Sequence, residues 1–206
     1  ISPSGNTIIL RQLPTAAILP DVTCVLGAGS YINPDILLDE IRITGISPDR
    51  LLIDPNATII SEAEIQAEEN SSLRMAIGST LSGTGAAVQK RISRDGGICL
   101  AKSEPKLEKF IQNTASYLRQ SIDTGERVII EGTQGFGLSL LHSPYYPHVT
   151  SRDTTASAFL SEAGLSPLDV DEIVLVLRTF PIRVGGNSGP LPNEIDWCTI
   201  AAESGI

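Results

Sequence analysis

A glycine-rich bend at Glu131, Gly132, Thr133, Gln134 and Gly135 carries one amide, and hydroxyls follow it at Thr150, Ser151, Thr154 and Thr155. Gln134 can donate and accept at once, which suits the edge of a purine-like base. The hydroxyls, with the backbone N–H groups opening the next helix, can hold a phosphate. Together they suit a ligand with a neutral hydrogen-bonding end beside an anionic one. The bland alternatives are an amide that braces a tight turn, and hydroxyls that cap a helix, which is the better reading for Thr154 and Thr155.

Upstream, residues 78–85 (GSTLSGTG) nearly match the spacing of a triphosphate-binding loop but lack its lysine, so they are not read as one. Their backbone donors, with Ser79, Thr80, Ser82 and Thr84, either hold a single phosphate or form an ordinary surface loop. Lys90, Arg91 and Arg94 make the only basic knot nearby. A guanidinium grips phosphate through two hydrogen bonds, whereas a short charge run is otherwise a solvated helix face. Arg178 and Arg183 flank residues 179–182; a structural ion pair is the bland reading of Arg183. The only histidines, His142 and His148, have no cysteine or second histidine at ligand spacing, so no metal site is expected.

The elements that must position these residues alternate short apolar runs with helical stretches, which predicts an α/β fold with a mainly parallel sheet flanked by helices. Strands are expected at 22–26, 51–54, 128–130 and 172–180. The bend at Gln134 follows the third of these, where ligands bind at the carboxyl ends of parallel strands. Asn33 and Pro34 start one helix as N-cap and first-turn residue. Ser61 and Glu64 match a capping box for a helix over 61–75. Leu107, Phe110, Ile111, Leu118 and Ile122 recur at helical spacing and predict one long helix over 106–122. A further helix is expected at 153–163, ended by Gly164.

A chain of 206 residues is enough for one α/β domain over 1–206 with a sizeable core. With aromatics at only 4%, that core must be aliphatic. A formal net charge of -9 argues against a nucleic-acid or anionic-membrane surface, so an anionic ligand needs local cations or backbone donors. Cys24, Cys99 and Cys198 are scattered and odd in number, which fits a reducing cytoplasm. No apolar run approaches a membrane span and no signal peptide is visible. The chain opens at Ile1 without methionine and stops at Ile206 without a closing helix signal, so it is expected to be a portion of a longer protein.

The bend with Gln134, the Tyr-Pro-x-Val-Thr-Ser run ending at Ser151, and Thr154 with Thr155 resemble the adenylosuccinate synthetases. So do residues 179–185 (TFPIRVG) and 189–194 (GPLPNE), whose form is similar to the shorter archaeal and phage-type branch. The motif order holds from about residue 20 to residue 194. The resemblance implies a P-loop-synthetase-like core lacking its first strand and phosphate loop. It also implies a ligase that joins aspartate to a purine nucleoside monophosphate (IMP), using GTP or ATP as co-substrate and Mg²⁺. The residues it places on the monophosphate are Thr80, Gln134, Thr150, Gly185 and Arg94. The last is donated across a homodimer interface to the neighbouring site. Leu81, Ser82 and Asp95 depart from the family's usual glycine, arginine and arginine. No residue of the chain matches a family catalytic position. The family's catalytic histidine, phosphate loop and aspartate-binding loop lie outside residues 1–206, so these residues alone are expected to be inactive. The alternatives are a non-catalytic nucleotide-binding homologue and a phage-type enzyme that uses dGMP.

Overall fold

The computed structural model describes residues 8–177, 189 and 195–205. Two parallel strand pairs form its centre. Cys24–Leu26 (β1) pairs with Leu51–Ile53 (β3), in the register Cys24↔Leu51 and Leu26↔Ile53. Tyr31–Ile32 (β2) pairs with Thr58–Ile59 (β4). Every residue of β3 is buried, as expected for a parallel strand covered on both faces, so its sequence is a continuous Leu-Leu-Ile run rather than an alternation. The core gathers Cys24, Ile32, Leu37, Leu51, Ile53, Leu107 and Phe110, which is mostly aliphatic.

Helix Pro34–Thr44 (α1) follows β2 and begins as its sequence predicts. The Asn33 side chain accepts from Asp35 N and Ile36 N at 3.1 and 3.2 Å, and Pro34 occupies the first turn. Gly45, at φ 66°, ends it in the left-handed conformation that glycine adopts without steric cost. Glu40 on α1 is 4% exposed and accepts from the backbone N–H groups of Arg11, Gln12 and Leu13, which ties the preceding segment to the helix.

Two expected helices are broken, each by a competing hydrogen bond. The capping box of Ser61 and Glu64 is present, but the helix it starts is Glu62–Glu69 (α2), followed separately by Leu73–Ile77 (α3). Between them the Ser71 hydroxyl donates to Glu68 O and accepts from Leu73 N, giving the backbone a local alternative to the helical ladder. The long helix over 106–122 is instead a 3₁₀ turn, Pro105–Phe110, and a separate helix. Ile111 bridges to Ile53, and Gln112 N donates to Ile53 O at 3.0 Å, so the chain adds to the β3 edge. Asn113 then caps Thr114–Asp123 (α5). The apolar spacing marked buried side chains correctly, since Leu107, Phe110 and Leu118 are all buried. It could not register that a strand edge interrupts the backbone between them.

Residues 128–130 and 172–177 have no ladder partner among the described residues, so the strands expected there are not formed. Hydrogen-bonded pairing, not composition, makes a strand, and without it Ile129, Leu175 and Val176 stand 75, 81 and 91% exposed. The expected strand's last residues, 178–180, lie outside the described residues. The remaining helices are Thr84–Ser93 (α4), Ala156–Ala163 (α6) and Trp197–Ser204 (α7). Gly164, at φ 75°, ends α6 as expected. Among the described residues no helix is long and apolar enough to cross a membrane.

Candidate functional site

The loop 78–83 joins α3 to α4 and is fixed from behind. Glu68, in the last turn of α2, is 4% exposed. Its carboxylate accepts from Gly83 N at 2.9 Å, Gly85 N at 2.6 Å and Ala86 N at 3.1 Å. These are the backbone donors at the start of α4, which are free in an uncapped helix. Those three N–H groups are therefore already engaged within the chain. The side chains remain available: Thr80 is exposed, and Ser82 Oγ lies 3.1 Å from Thr84 Oγ1. Gly83 has φ 81°, and a Cβ there would meet Ile60 Cγ2 at 2.7 Å and Ile65 N at 3.0 Å, so only glycine fits. Leu81 takes φ 55°, a left-handed conformation costly for a residue with a side chain.

The bend and the hydroxyl segment are clasped to one another. Thr150 N donates to Leu138 O at 2.9 Å, and Leu140 N donates to Arg152 O at 3.1 Å. Thr154 Oγ1 donates to Gly135 O at 2.9 Å. Asp153 organises the clasp, accepting from Ser139 Oγ at 2.7 Å, Thr154 N at 2.8 Å and Thr155 Oγ1 at 2.6 Å. The Thr155 hydroxyl first, then that of Ser139, hold its carboxyl below the usual aspartate range. Thr155 also caps α6 by accepting from Ala158 N, as expected, whereas Thr154 holds the bend instead. Gly132 packs on α6 so closely that a Cβ would lie 2.4 Å from the Phe159 ring. The result presents Gln134, exposed at φ 68°, beside half-buried Thr150 and Ser151.

These two units meet. A Cβ on Gly85 would lie 3.7 Å from Ser151 Cβ and 3.9 Å from its Oγ, so the start of α4 packs on the hydroxyl segment. The structure thus joins the start of α4, which follows the Thr80 loop, to the Thr150–Ser151 segment, which is itself clasped to the Gln134 bend. Glu68 and Ser139, the two buried groups that set these loops, were not singled out by sequence reasoning. Glu68 sits in a run of polar residues that reads as a solvated helix face, and Ser139 carries no motif.

The basic knot is mostly used internally. Lys90 Nζ lies 2.7 Å from Glu64 Oε1, and Arg91 donates to Asn56 O and Thr58 Oγ1. Burial pushes the Glu64 carboxyl up, but the bonds from Lys90 and Ser61 outweigh it and hold it below the ordinary range. Lys90→Met should therefore cost about 1–3 kcal/mol in a urea melt, because it strands a buried carboxylate, with water reaching part of the vacated space. An unchanged midpoint would show that Ser61 alone satisfies Glu64. Arg94, the C-cap of α4, is exposed and lines an open hollow with Arg91, Ile98, Leu100 and Lys102. It stands at the opposite end of α4 from the Thr80 loop, about 15 Å away at 1.5 Å per residue. Arg94 is therefore not brought to the locality within one chain. His142 stacks on Phe136 with ring centroids 6.1 Å apart. Arg178, Arg183 and Gly185 lie outside the described residues. Among the described residues no group of three or more His, Cys, Asp or Glu side chains could hold a metal ion.

Comparison with known proteins identifies the family through a matching family model. The family model for adenylosuccinate synthetase matches residues 1–102 and 99–205. The adenylosuccinate synthetase of Archaeoglobus fulgidus is 38% identical over 192 residues, which is 93% of this chain and 55% of that protein. The Methanocaldococcus jannaschii protein of the same name is 37% identical over 194 residues, with the same coverage of 93% and 55%. The chain thus spans about half the length of the curated relatives it matches. Among solved structures, succinoaminodeoxyadenylate synthetase of cyanophage S-2L, bound to dGMP and to dATP as an energy donor, superposes with a TM-score of 0.78. It is 27% identical, and the match covers 94% of this chain and 58% of that one. Fully ligated adenylosuccinate synthetase from Plasmodium falciparum gives a TM-score of 0.76 at 21% identity, covering 83% of this chain and 50% of that one, a likeness of fold. With the matched residues running almost end to end, the chain belongs to the adenylosuccinate synthetase family.

Proposed function

We propose that the chain forms the nucleoside monophosphate site of a ligase that joins L-aspartate to a purine nucleoside monophosphate, inosinate first among them, in purine nucleotide biosynthesis. The observation that carries this reading is the packing of Ser151 on Gly85, which brings a hydroxyl-bearing loop and a hydroxyl segment beside one exposed amide. Thr80 and Thr150 donate to the phosphate, and Gln134 takes the nucleotide's hydrogen-bonding edge. On a chain of net charge -9, a dianionic ligand also needs a cation, and the Thr80 loop offers none of its own. Arg94, exposed at the far end of α4, supplies it across the interface of a cytoplasmic homodimer. Gly185 completes the site from outside the described residues.

The overall reaction has two steps. The terminal phosphoryl group of GTP or ATP passes to the purine 6-oxygen, and the nucleoside diphosphate leaves. The aspartate amine then forms a bond to C6 as the C6–O bond breaks and inorganic phosphate departs. Such transfers depend on positioning and on neutralising charge, and positioning the acceptor is the part these residues perform.

Calorimetric titration with inosinate and with deoxyguanylate tests the reading. Saturable inosinate binding supports it, and preference for deoxyguanylate moves the chain to the substrate that the cyanophage protein holds. Binding of neither overturns it. Arg94→Ala should weaken binding by about ten- to a hundredfold, the loss of a charge-assisted contact, while leaving the melting temperature within a degree or two. Mixing Arg94→Ala with Thr80→Val chains should restore wild-type affinity in a quarter to a half of the sites, on the order of one per mixed dimer, if the arginine acts across subunits. No recovery on mixing would place Arg94 outside the shared site.

A further inference from the structure

We infer that Glu68 is a positioning residue for the phosphate-holding loop. Its carboxylate is the counter-charge of the α4 N-terminus, so the loop recognises phosphate through hydroxyls and not through the helix. This rests on the monophosphate reading above and deepens it. Three observations converge. Glu68 is 4% exposed and bonds three consecutive-turn amides, those of Gly83, Gly85 and Ala86, at 2.6–3.1 Å. The neighbouring cation, Lys90, is paired with Glu64, which leaves the amides and the positive end of α4 to balance the Glu68 charge. The same Oε1 that binds Gly85 N and Ala86 N would lie 2.9 Å from a Cβ on Gly85, the residue against which Ser151 packs. One carboxylate therefore fixes Gly83 at φ 81°, seats the start of α4, and sets the spacing between the Thr80 loop and Ser151.

A negative charge in that place has a chemical consequence. In an ordinary anion site the helix N-terminus faces the ligand with free N–H groups. Here those groups face inward to Glu68, and a phosphate meets Thr80, Ser82, Thr84 and Ser151 instead. Removing the carboxylate releases the loop and frees the amides without restoring the geometry of the hydroxyls.

The test compares inosinate with inosine, which lacks the phosphate, on the unaltered chain and on Glu68→Gln. Glutamine keeps the shape but points an amide N–H₂ at a backbone donor. The expected result is that inosine affinity is unchanged while the preference for inosinate falls at least about tenfold, as for loss of a properly set charge-assisted contact. Global weakening of the fold would move both ligands together. Glu68→Asp, which keeps the charge on a shorter stem, should recover part of the preference. If Glu68→Gln keeps the full inosinate preference, the inference is overturned and the monophosphate reading stands. If the unaltered chain shows no preference for inosinate, both fall. Should Glu68→Gln fail to fold, Glu68→Asp and Gly83→Ala serve as the variants. Gly83→Ala forces the same loop away from Ile60 and Ile65, and it must show the same phosphate-selective loss.

Discussion

Asp54→Ala should lower the melting temperature of the chain by about ten degrees, the largest structural effect expected of any single change considered. Asp54 sits just past β3 and is 4% exposed. It accepts from Thr114 Oγ1 at 2.8 Å, Thr114 N at 3.2 Å and Asn56 N at 2.9 Å, and its own N–H donates to Leu26 O. Alanine leaves three donors without their acceptor, two of them on Thr114, which is fully buried. Each stranded buried donor costs about 1–3 kcal/mol, so the two on Thr114 together cost about 2–6 kcal/mol. That is a large share of the roughly 5–15 kcal/mol that holds a domain together. Thermal melts followed by circular dichroism measure it directly. A shift of under about three degrees would mean that water replaces the carboxylate and that the β3–α5 junction is not held as described.

Asp153→Asn should weaken inosinate binding by at least about tenfold, because one carboxylate sets both the Gln134 bend and the Thr150 segment. An asparagine has one acceptor oxygen and cannot receive from Ser139, Thr154 and Thr155 together. The change should also carry a pH signature. The folded-state pKa of Asp153 is depressed, so its stabilising contribution is full above the unfolded carboxyl value of about 3.9 and is lost as pH falls through the lower folded value. The gap in melting temperature between wild type and Asp153→Asn should therefore be constant from neutral pH to about pH 5 and close at more acid pH. A gap that does not depend on pH would show that the carboxylate charge is not what holds the clasp.

What the sequence made legible was local. Asn33, Ser61, Glu64 and Thr155 announce helix starts through bonds that span two or three residues, and the structure contains each one. The buried Leu-Leu-Ile strand and the resemblance to the family were likewise readable. What escaped were bonds between residues far apart in the chain. Glu68 reaches 15 to 18 residues ahead, Asp54 reaches 60, and Ile111 joins the edge of β3. Periodicity has no way to register such partners, which is why the run over 106–122 looks like one helix and is two segments. The runs at 128–130 and 172–177 show the converse case. Their composition is that of buried strands, but pairing is absent among the described residues and the side chains stand in solvent. The basic knot misled in a third way, because charge alone does not reveal that Lys90 and Arg91 have internal partners.

On the reading proposed above, the Thr80 loop, the Gln134 bend and the Thr150–Ser151 segment form one nucleoside monophosphate site. The most direct test is a titration of the ¹⁵N-labelled chain with inosinate, followed through the backbone amide resonances. The amides of residues 79–85, 133–135 and 150–151 should shift together and give a single dissociation constant. Shifts confined to one of the three segments, or segments that titrate with different constants, would contradict it.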